Sequence, residues 1–129
     1  MKGMVHMMKT IEEMTETKEI LAQMVLEGFE LAQRLDRKGE FTQANIVRIA
    51  ADTTKEQLDT LDEIIWKTKY LLQSKADIEW YRTRPAEPSN FEKQITDLQY
   101  YQDIIGQERH VLLEKWNRLN PSRQISYKF

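Results

Sequence analysis

The chain has 129 residues, 40% hydrophobic and 31% charged, enough for one domain with a core of its own. A formal net charge of −2 argues against general attraction to nucleic acid or an anionic membrane surface, and the absence of cysteine excludes disulfides, thiolate catalysis and Cys-ligated zinc. No apolar run approaches the roughly 18 residues of a membrane span, so the expected setting is cytoplasmic, with no membrane partner.

Residues 1–9, MKGMVHMMK, have no continuous apolar stretch and no small-residue cleavage site, and they read as a flexible leader. Three helix starts follow. Thr10 with Glu13, Thr53 with Glu56, and Ser89 with Glu92 each have a hydroxyl three residues before a glutamate, the spacing of a capping box. Gly39 after Arg37 and Lys38, the pair Pro85 and Pro88, and Pro121 supply the stops. The elements expected are helices over 10–38, 42–84 and 90–120, forming a bundle domain over 10–120. The second helix would be roughly 60 Å long at about 1.5 Å per residue. No Gly or Pro interrupts it between Phe41 and Arg84, which favours a single rod over a break at the internal Thr53 signal. In the tail, 121–129, Ile125, Tyr127 and Phe129 alternate with polar residues, as in a short extended segment.

Stepping about 100° per residue separates the faces. On the first helix Ile11, Met14, Leu21, Val25, Gly28, Ala32 and Leu35 make a near-heptad seam of coiled-coil type, with Met24 and Leu31 beside it. Gly28 would let another helix approach closely. On the second, Ala50, Ala51 and Thr54 run in phase with Leu58, Leu61, Ile64, Ile65, Thr68, Leu71 and Leu72. The third carries Phe91, Ile95, Leu98, Tyr101, Ile105, Leu112, Trp116 and Leu119, with Arg109 inside the stripe. A guanidinium there needs a carboxylate, a cluster of backbone carbonyls, or water. Lys18 and Lys75 interrupt the other two seams in the same way.

Two acidic pairs invite a metal reading. Glu27 and Glu30, then Glu56 and Asp59, form E-x-x-E followed by E-x-x-D, a pattern that resembles the all-α nucleotide pyrophosphohydrolases of the MazG and dimeric dUTPase kind. The resemblance covers the first two helices only, and it implies that the four acids bind Mg²⁺ around a nucleoside triphosphate. The chain departs from the pattern at Leu26, where the family usually has another glutamate. The helical wheel places both pairs on the polar side, whereas a bundle metal site is built from residues facing inward. The expectation is therefore a solvated face, with no metal or other cofactor and no catalytic residue. His6 and His110 have no partner at ligand spacing, and nucleophile-elbow and phosphate-loop motifs are absent.

The remaining features suggest contact surfaces. Trp66 and Tyr70 stand away from the leucine seam, with Trp80 to one side, so a second neighbour should cover them: the third helix, a second copy of the chain, or another protein. These three residues and Arg109 are the candidate partner-binding residues. Arg34, Arg37 and Lys38, and Arg82 with Arg84, are local basic clusters. A DNA-reading helix–turn–helix normally uses short helices that cross steeply, so long helices make nucleic acid the weakest partner expectation. The sequence thus describes an all-α protein, a long antiparallel helical hairpin with a third helix and a short extended tail. It reads as a three-helix bundle completed by homo-oligomerisation. The expected role is that of a small bacterial or phage binding protein, a regulator, inhibitor or assembly adaptor. The alternatives are the Mg²⁺-dependent pyrophosphohydrolase and, third, a DNA-binding regulator.

Overall fold

The computed structural model describes residues 6–84 and 88–129, apart from the side chains of 6 and 88–90. Its elements are β1 His6–Met8, α1 Ile11–Arg37, α2 Phe41–Arg82, α3 Pro88–Leu119 and β2 Arg123–Ile125. Each helix boundary falls within two residues of the one read from caps and prolines. The Ser89 cap and Pro85 lie outside the described residues. Contacts divide the chain into two compact units, Glu12–Asp62 and the residues up to Ile11 together with Glu63–Phe129. Both units draw on α2, which is unbroken. The Thr53 start signal is not used, because Thr53 and Thr54 sit inside the helix. Their hydroxyls donate back to the Ile49 and Ala50 carbonyls at 3.1 and 3.0 Å.

The Glu12–Asp62 unit is an antiparallel helical hairpin. α1 ends in a Schellman turn: Glu40 N–H donates to the Leu35 carbonyl at 2.9 Å and Gly39 N–H to that of Asp36 at 3.0 Å. Gly39 takes φ 77°, a conformation that costs any residue with a Cβ. The Glu40 carbonyl then accepts the first α2 bond, from Ala44 N–H at 3.0 Å, so only three residues separate the helices. Small residues set how closely they approach. A Cβ built on Gly28 would stand 3.0 Å from Ala51 Cβ, and Ala32, Ala44 and Ala51 are buried. Met14, Thr17, Leu21, Thr60 and Leu61 complete the buried set. Met24, Leu31 and Ala50, expected in or beside the seams, are exposed, since a seam this close has room only for its central residues. Lys18, which interrupts the α1 seam, reaches Asp62, and Arg48 pairs with Asp36 at 2.6 Å.

In the other unit the second half of α2 packs antiparallel against α3. The register is fixed by Trp80 beside Phe91, Ser74 bonded to Gln102, and Thr68 bonded to Arg109. Ile64, Ile65, Thr68, Leu71, Ser74 and Ile78 are buried from α2, and Leu113 and Trp116 from α3. Leu72 is exposed, and so are Tyr101 and Leu119, at the margins of the expected stripes. β1 and β2 pair in parallel, Met7 opposite Gln124 and Met8 opposite Ile125. A two-stranded parallel ribbon has little stability alone. This one is held by its inward side chains, since Met8 and Ile125 are buried with Trp116 and Leu113. Of the residues expected to form a flexible leader, His6–Met8 make up this strand. The strand pairing and the burial of Met8 fix those residues, and 1–5 lie outside the described residues.

Leu61 is fully buried and Asp59 is exposed. Leu61→Ala is expected to lower unfolding free energy by about 2–5 kcal/mol in a urea titration, and Asp59→Ala to stay within about 0.5 kcal/mol. Gly28→Leu, which drives a side chain into Ala51, should cost about 1–3 kcal/mol by the same measurement.

Candidate functional site

The four acids of the metal reading do not converge. Glu27, Glu30, Glu56 and Asp59 are all exposed. Glu27 accepts a hydrogen bond from Gln23 at 3.0 Å, and Asp59 pairs with Lys55 one turn away at 3.4 Å. With Gly28 opposite Ala51 in an antiparallel pair, Glu27 and Glu30 come abreast of residues 49–52, a turn or more from Glu56 and Asp59. Among the described residues, no group of three or more His, Asp or Glu is placed to hold a metal ion.

The aromatic residues form organised clusters. Trp66 is 56% exposed, and its ring stacks on Tyr70 with centroids 6.0 Å apart and planes 25° from parallel. Trp66 is left exposed and Tyr70 half-buried, because the register of α3 against α2 directs its bonds to Thr68 and Ser74. Trp80, 48% exposed, packs edge-on against Tyr81 and Phe91, with the Arg84 guanidinium 4.0 Å over its ring. Tyr100 and Tyr101 form a third exposed pair on α3.

Arg109, the fourth candidate residue, is only 4% exposed, and its guanidinium bonds within the chain. Its Nε donates to Thr68 Oγ1 at 2.7 Å. Nη1 donates to the Tyr127 carbonyl at 2.9 Å, and Nη2 to that of Ser126 at 3.4 Å. Phe129 lies against the guanidinium face, its ring centre 4.5 Å from Cζ. Of the three ways to satisfy this cation, the chain uses backbone carbonyls. Carbonyl and hydroxyl oxygens satisfy N–H groups without cancelling the charge, and burial lowers the pKa of the group.

Beside Arg109 opens a cavity of about 380 Å³. Leu71 and Leu113 give it apolar walls, Tyr127 and Phe129 close one side, and Lys75 and His110, both exposed, form its rim. Gly106 and Gln102 line it from α3. His110 is bonded to Glu114 at 2.7 Å and its ring lies 4.9 Å from that of Tyr127.

Sequence reasoning located Arg109 but missed what surrounds it. The tail is held by Asn117, whose Oδ1 accepts from Ile125 N–H at 2.7 Å and whose Nδ2 donates to the Ile125 carbonyl at 3.1 Å, as a neighbouring strand would. Trp116 Nε1 donates to the Arg123 carbonyl at 2.8 Å. The available signal was the alternating tail following a stripe with an arginine in it. The chain matches no protein-family model, no curated protein and no solved structure at a significant level.

Arg109→Met would leave the Ser126 and Tyr127 carbonyls without their donors. It is expected to cost about 1–3 kcal/mol in denaturant unfolding and to speed proteolysis within 121–129. Arg109→Lys should recover little of this, because one ammonium cannot reproduce the planar fork.

Proposed function

We propose that this chain is a small helical binding protein without catalytic activity. It acts as a regulator, inhibitor or assembly adaptor in the cytoplasm, through contacts with another protein and with further copies of itself. The observation that carries this reading is Trp66, a large aromatic side chain held by Tyr70 yet more than half exposed. Ordering an aromatic anchor in advance lowers the entropy lost on binding, and Trp and Tyr are over-represented among residues that dominate interface energy. Trp80, Tyr100 and Tyr101 extend the exposed aromatic surface of the same unit, and Ile46 and Ile49 add exposed apolar area on the other.

The test combines light scattering with capture from the native host. Replacing Trp66 and Tyr70 together by Ala removes exposed or half-buried rings, so the melting temperature should change little. Self-association or capture of a specific protein should weaken by about tenfold or more, the effect expected of a lost aromatic anchor. An unchanged particle mass together with an unchanged set of captured proteins would contradict the proposal.

A further inference from the structure

The cavity beside Arg109 departs from the chain's overall charge balance. The protein has 21 acidic and 19 basic residues, yet the cavity is lined by Lys75, Arg109 and His110 and by no Asp or Glu. Arg109 is nearly inaccessible and, among the described residues, no carboxylate pairs with it. Its three bonded acceptors are neutral oxygens, and one N–H on each terminal nitrogen has no protein acceptor among them. Lys75 likewise has no ion-pair partner among the described residues, and of the three only His110 has an acid in contact, Glu114. A buried guanidinium beside a second free cation favours an anion, and its planar fork suits carboxylate or phosphate oxygens. Leu71, Leu113 and the Phe129 ring give apolar and aromatic walls, and Gln102 adds a neutral polar group. The volume, about 380 Å³, falls at the small end of the roughly 300–1,000 Å³ typical of small-molecule sites.

From this juxtaposition we propose that the cavity binds a small organic anion. Its carboxylate or phosphate head meets Arg109 and Lys75, and its flat apolar body lies between Leu113 and Phe129. Gly106 supplies the test. A Cβ added there meets nothing within 4 Å, Gly106 lines the cavity, and replacing a mid-helix glycine favours the helix. The probe is phenyl phosphate, titrated into the full chain and followed by amide chemical shifts, with benzyl alcohol as the uncharged control. The expected result is saturation by phenyl phosphate, with benzyl alcohol weaker by about tenfold or more. Gly106→Leu should weaken phenyl phosphate by about tenfold or more while the melting temperature holds or rises. Lys75→Glu, a change at an exposed position, should do the same by reversing the charge at the rim. Failure of phenyl phosphate to saturate, equal binding of the uncharged control, or wild-type affinity in both variants would overturn the proposal. Saturation by benzoate at a similar concentration would support the proposal with a carboxylate head, and saturation by phenyl phosphate alone would support it with a phosphate head.

Discussion

Arg109 joins parts of the chain that are far apart in sequence. Its Nε holds Thr68 on α2, and its terminal nitrogens hold the carbonyls of Ser126 and Tyr127, beyond β2. The cation sits where an apolar residue would ordinarily continue the α3 stripe, and burying it carries a desolvation penalty that only well-aimed acceptors offset. Those acceptors are available because the tail leaves α3 at Asn120, runs back along it, and is fixed by Asn117 and Trp116. The position of the tail in turn determines where His6–Met8 can pair. A polar contact in the core thus selects one arrangement of segments that hydrophobic burial alone would leave loosely specified.

The hairpin of the Glu12–Asp62 unit rests on a different device. Gly28, Ala32, Ala44 and Ala51 bring two backbones close together, and the Schellman turn at Gly39 sets the reversal. Close packing between small residues leaves the larger apolar side chains, Ile20, Met24 and Leu31 among them, outside the contact. The same economy explains why so much apolar surface remains on a chain with long helices.

Much of this was legible in advance. Caps, prolines and the 3.6-residue period located all three helices, because those signals act locally and the helices are long enough to average out exceptions. Wheel geometry placed Glu30 and Asp59 on the solvent side and put Arg109 within a buried stripe, as the structure does. Three things were not legible. A wheel gives direction but not distance, so it could not show that Met24 and Leu31 would be pushed out of the α1 contact. The pairing of β1 with β2 joins segments more than a hundred residues apart, and three-residue strands carry almost no periodic signal. Trp66 was placed off the seam correctly, but whether α3 would cover it depended on a register that only the Arg109 and Gln102 bonds fix.

Coupling of α2 to the tail through the Arg109 guanidinium is measured by a double-mutant cycle between Arg109→Met and Thr68→Val, read as unfolding free energy. The expected coupling is about 1–2 kcal/mol, the size of a hydrogen bond to a buried charged donor. Strictly additive losses in the double variant would contradict it.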